Sequence, residues 1–76
     1  MASFTVPYTD HQIEVDTDRR VVEFYRNAWN RDSSGTPDET YTFEALRGDR
    51  GRMTALAAML ADTDAAELER LVTADQ

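Results

Sequence analysis

Three groups of residues in this chain have the types and spacing for chemistry. The first is Arg47-Gly48-Asp49-Arg50-Gly51-Arg52, which holds three of the eight basic residues within six positions. Guanidinium groups, glycines that permit close backbone approach and a helix starting just beyond them are the ingredients of a phosphate site or of a contact with an acidic partner surface. The spacing matches neither the phosphate loop with its Gly-Lys-Ser/Thr ending nor the dinucleotide fingerprint. Arginines paired with the chain's own carboxylates are the plainer reading and carry more weight. The Arg-Gly-Asp tripeptide inside the run has meaning only outside the cell, and nothing in the sequence points there.

The second group is carboxylates. Asp62, Asp64 and Glu67, or Asp10, Glu14 and Asp16, offer hard oxygen ligands of the kind a divalent cation takes. Neither set has the twelve-residue calcium-loop spacing, and helix capping and solvation account for both, so no metal site is assigned. The third group is His11 beside Asp10, a pair with the chemistry of a general base. Cysteine is absent and no serine sits in a Gly-x-Ser-x-Gly context. No catalytic residue and no cofactor are assigned, and the expectation is a protein that is not an enzyme.

The totals explain why a site is hard to build here. A chain of 76 residues is read as one domain, residues 1–76, burying only about 60% of the surface of its unfolded form. Without cysteine, and with one histidine, it has neither a disulfide nor a His/Cys zinc site to staple it. Either the core suffices or a partner completes it, which makes a homodimer a natural expectation. The net charge is −7 and there is no lysine. Two physical causes fit, adaptation to high salt and a GC-rich genome that encodes arginine in preference to lysine. Either way the field repels phosphate backbones, which disfavours nucleic acid as a general partner. No signal peptide and no membrane-span-length apolar run is legible, so the expected compartment is cytoplasmic, with no membrane partner.

The elements that would position these residues follow from periodicity. Ser3 to Tyr8 alternates, with Phe4, Val6 and Tyr8 on one side, and Gln12 to Asp16 places Ile13 and Val15 inward; together they predict an N-terminal hairpin turning at Thr9-Asp10-His11. Asp18 to Arg31 places Phe24, Ala28, Val21, Tyr25, Trp29 and Val22 on one arc of about 160° when wound at 100° per residue. That predicts an amphipathic helix, capped by Asp16-Thr17-Asp18, around which the fold is organised. Asn30 to Glu39 reads as a loop. Thr40 to Leu46 carries two competing signals. Thr36-Pro37-Asp38-Glu39 is a helix start, whereas the alternation of Tyr41, Phe43 and Ala45 with threonines favours a strand, which is preferred. Arg52 to Ala61 and Ala65 to Ala74 read as helices, the latter capped by Asp64 with Glu67.

The predicted fold class is therefore α+β, in the order β-β-α-β-α-α. It has a small three-stranded sheet, antiparallel or mixed, with one covering amphipathic helix and a C-terminal αα-hairpin. A mostly helical chain with an N-terminal β-hairpin is the alternative. The function expected is a non-enzymatic protein-interaction or regulatory module that self-associates, with an acidic surface suited to high salt or to a GC-rich host. Its partner-binding residues are Phe24 and Trp29 at the edges of the arc, with Arg47, Arg50 and Arg52. The alternative is a nucleic-acid-directed regulator, either an acidic DNA mimic that occupies a nucleic-acid-binding protein or a direct binder through the Arg47–Arg52 cluster.

Overall fold

The segment Val21-Val22-Glu23-Phe24-Tyr25 determines the architecture. Four of its five residues are β-branched or aromatic, types that fit a pleated surface better than a helix. In the computed structural model, which describes residues 2–27 and 35–74, this segment is a strand. The elements run β1 (Ala2–Thr5), β2 (Gln12–Asp16), β3 (Val21–Tyr25), β4 (Glu39–Thr42), α1 (Phe43–Gly48), α2 (Arg50–Ala58) and α3 (Asp62–Thr73). The four strands form one antiparallel meander in the order β1-β2-β3-β4. The predicted class and the antiparallel sheet are present, but the organising helix is replaced by a fourth strand and the order is β-β-β-β-α-α-α.

The correction has a local cause. Asp16-Thr17-Asp18 does not cap a helix; the Asp16 carboxylate accepts from the backbone N–H of Asp18 and of Arg19, at 3.0 and 3.1 Å, and so closes a hairpin turn. Arg20 completes that turn with φ of 59°. The chain leaves it paired with β2, Asp16 opposite Val21 and Ile13 opposite Phe24. β3 buries side chains on both of its faces, whereas β2, equally central in the sheet, buries only alternate residues, so in β3 the alternation that identifies a half-exposed strand is missing. Val22, Glu23, Phe24 and Tyr25 are all buried. The end of the predicted helix, including Trp29, lies outside the described residues.

Two cross-strand rows build the inner face. Phe4, Ile13 and Phe24 stand side by side in one, and Ala2, Val15, Val22 and Tyr41 in the next. All three helices pack over these rows. Phe43 and Leu46 from α1, Met53 and Leu56 from α2, Leu60 from the connection and Leu68 and Val72 from α3 complete a single core. Of the apolar faces expected for the two C-terminal helices, Met53, Leu56, Ala57 and Leu60 on one and Ala65, Leu68, Leu71 and Val72 on the other, Met53, Leu56, Leu60, Leu68 and Val72 are buried, Ala65 and Leu71 pack at the margin and Ala57 is half-buried.

The segment with competing signals divides between them. Glu39 to Thr42 is strand, but Phe43 to Leu46 is the start of α1, because the Thr42 hydroxyl accepts from Ala45 N–H at 3.0 Å and ends the strand as an N-cap. Asp49 then closes α1 and opens α2, its carboxylate accepting from Arg52 N–H at 3.0 Å. The predicted Asp64–Glu67 cap is absent. α3 begins at Asp62 after Ala61, without a side-chain cap bond, and Glu67 instead pairs with Arg70. No helix among the described residues is long and apolar enough to cross a membrane.

Candidate functional site

Period-two geometry carries the inner-face rows past the end of β3. Val22, Phe24 and Arg26 succeed one another on one side of the chain, and Tyr41 and Glu39 do so on β4. Arg26 is thus delivered to the rim of the core, where α2 passes opposite it. Between them opens a groove of about 340 Å³, walled by His11, Phe24, Arg26, Glu39 and Tyr41 from the sheet side and by Arg52, Ala55, Leu56 and Met59 from the helix side. That volume lies at the small end of ligand-sized clefts.

Its floor is apolar and its rim is charged. The Arg26 guanidinium stands 5.7 Å from the centre of the Phe24 ring, and the Arg52 guanidinium 5.4 Å from that of Tyr41, both within reach of a cation–π attraction. On the other side of Phe24 the His11 ring lies at 5.5 Å, tilted by 50°. His11 Nδ1 is 2.6 Å from the Arg26 carbonyl oxygen, which makes Nδ1 the donor and leaves Nε2 as the ring's second polar position. Asp38 anchors the same corner, accepting from Arg26 N–H at 2.6 Å and donating its own N–H to Phe24 at 2.8 Å.

Charge is unevenly compensated around this rim. Arg26 has Glu39 at 3.5 Å, and the Tyr41 hydroxyl donates to the same carboxylate. That hydrogen bond is the main reason the Tyr41 phenol is held above its ordinary value of 10.0, with burial and the Glu39 charge adding to it. Arg52 is different. Arg19, Arg20, Arg26, Arg47, Arg50 and Arg70 each have a carboxylate within 4.0 Å. Among the described residues Arg52 is the one arginine without such a partner, in a chain whose acidic residues outnumber its basic ones by 15 to 8.

The comparisons with known proteins add no relative to this geometry. No family model, no curated protein and no solved structure matches the chain.

The residues singled out from the sequence are dispersed by the fold. Phe24 is buried, 6% exposed, and serves the core and the groove floor at once. Arg47 sends its Nε to the Val72 carbonyl at 2.8 Å, tying α1 to the end of α3. Arg50 reaches Glu69 at 2.6 Å. Only Arg52 of the arginine cluster meets Phe24, so these two are brought together in the groove while Arg47 and Arg50 hold helices in place. Trp29 lies outside the described residues. Sequence reasoning missed His11, Arg26, Glu39 and Tyr41 as neighbours. A strand reading of Val21–Tyr25 supplies the signal, because it places Arg26 in register with Phe24 instead of on a polar helix face.

Proposed function

We propose that the protein is a non-enzymatic interaction module whose groove between β3–β4 and α2 accepts a partner group combining an aromatic or apolar side chain with a nearby carboxylate. One observation carries this reading, Arg52, without a carboxylate partner among the described residues, lying over Tyr41 in a groove whose wall is part apolar and part polar. In a chain of net charge −7, a cation left without an internal carboxylate is a ready acceptor for an external one, and guanidinium–carboxylate pairing is both strong and directional. Phe24, Leu56 and Met59 provide the apolar contact that a carboxylate alone would not need. A polyanion such as nucleic acid fits less well, because the surrounding field repels it and two of the three clustered arginines are already paired.

The test uses N-acetylphenylalanine, which carries ring and carboxylate, and its amide, which carries the ring alone. Backbone amide resonances of residues 39–41 and 52–59 are expected to shift with the acid at low protein concentration and to shift far less with the amide. Arg52→Gln removes the difference between the two probes. Equal response to acid and amide, or perturbation confined to other surfaces, overturns the proposal.

A further inference from the structure

Tyr8 is the one large apolar side chain that stands fully exposed among the described residues, and its backbone is held at φ of +65°. The turn Val6-Pro7-Tyr8-Thr9 is closed by Thr9 N–H donating to the Val6 carbonyl at 3.2 Å. Proline first and a positive φ second is the pattern of a type II turn, whose second central position suits glycine or asparagine. A bulky L residue there is disfavoured by on the order of 1 kcal/mol. The turn is also tightly built, with the Thr9 hydroxyl donating to Val6 O at 2.9 Å and accepting from His11 N–H at 3.0 Å. A strained, rigid turn therefore presents an aromatic ring to solvent, with the exposed Asp10 carboxylate two residues further on.

That combination, an aromatic side chain beside a carboxylate, is the ligand class the groove was argued to take. The turn and the groove are also adjacent, since His11 forms part of the groove wall and lies three residues from Tyr8, a span on the order of 10 Å at most. Two patches that are adjacent on one surface and complementary in chemistry meet the requirement for a closed two-fold contact, in which each chain gives its turn and receives its partner's. We infer that the occupant of the groove is the Tyr8–Asp10 turn of a second copy, Tyr8 entering over Phe24 and Met59 and Asp10 pairing with Arg52, so that the chain forms a reciprocal homodimer. The inference rests on the groove reading above and names its partner. Charge complementarity supports it directly. In the isolated chain Arg52 has no carboxylate partner among the described residues, and Asp10 is an exposed acid at the tip of the turn. Two reciprocal tyrosines bury about 300–500 Å², less than the roughly 1,200 Å² of a standard stable interface, so the association depends on concentration.

Molecular mass measured by sedimentation across a wide range of concentration tests it. The native chain is expected to pass from monomer to dimer, and Tyr8→Gly to raise the dissociation constant about tenfold or more. Tyr8→Gly also relieves the positive φ, so its loss of dimer is expected alongside an equal or higher unfolding midpoint, which separates lost docking from lost folding. Asp10→Arg and Arg52→Asp each weaken the dimer, and the doubly reversed chain recovers it. N-acetylphenylalanine dissociates the native dimer. A native chain that stays monomeric at every concentration, or a Tyr8→Gly chain that dimerises equally well, overturns the self-docking. If the monomer nevertheless binds N-acetylphenylalanine through Arg52, the groove reading stands with another partner; if it binds neither, both fall.

Discussion

Among the described residues two non-glycine residues hold positive φ, Tyr8 at 65° and Arg20 at 59°, and they differ in what compensates them. The Arg20 side chain pairs with Glu44 at 2.5 Å and covers the Phe43 ring at 5.7 Å, whereas Tyr8 touches nothing that would repay its conformation. Replacing each by glycine therefore gives opposite outcomes. Tyr8→Gly is expected to stabilise the monomer by on the order of 0.5–1 kcal/mol, while Arg20→Gly gives no gain or a loss, read from urea midpoints at low protein concentration. Titration separates two further residues. The Tyr41 phenol is raised, chiefly by its hydrogen bond to Glu39. The stability it contributes is present below the ordinary 10.0 and is lost as pH rises through its folded value. Ultraviolet titration of the phenolate, with Tyr41→Phe as the subtraction, should show this late ionisation, and Glu39→Gln should bring it earlier. The Glu44 carboxyl is lowered, first by the Arg20 guanidinium. Its contribution is present above the ordinary 4.5 and fades as pH falls through its folded value, so acid removes the Arg20–Glu44 support of the turn.

At the scale of elements, the sharpest junction is Asp49, which caps α2 while closing α1. Asp49→Ala is expected to cost about 1 kcal/mol, and Asp49→Asn to recover most of it, measured by thermal unfolding. Leu46 is fully buried where α1 meets the sheet and the other helices. Leu46→Ala should cost about 2–5 kcal/mol, enough in a domain of this size to leave a large unfolded fraction by circular dichroism. How legible each element was depended on how many of its faces are buried. β2 was legible at its exact bounds because one face is apolar and the other polar, and α3 for the corresponding reason. β3 was not, because burial on both faces erased its alternation and left Val21, Val22, Phe24 and Tyr25 to satisfy a helical wheel. The boundary inside Thr40–Leu46 was hidden because Thr42 serves as strand end and helix cap at once.

For the molecule as a whole, the dominant quantity is charge. Seven uncompensated negative charges on an 8.6 kDa chain repel one another in the compact state, and salt screens that repulsion over about 10 Å at 0.1 M. Raising potassium chloride from 0.05 M to 1 M is therefore expected to raise the unfolding midpoint. The exposed ion pairs weakened by the same salt each contribute little. A midpoint that falls would show that the arginine–carboxylate pairs outweigh the net repulsion. By itself the sequence determined the α+β class, a pair of N-terminal strands though not the end of the first, which stops at Thr5 and leaves Tyr8 exposed in a turn, the C-terminal helices and the acidic field. Each of these follows from local periodicity or from composition. Only the tertiary structure decided that Val21–Tyr25 joins a sheet, that Arg47 and Arg50 are consumed in holding helices, and that Arg52 meets Phe24, Arg26 and Tyr41 around one groove. Those outcomes depend on which neighbour each residue finds across the chain, and register and ion pairing are properties of the assembled fold that no local pattern encodes.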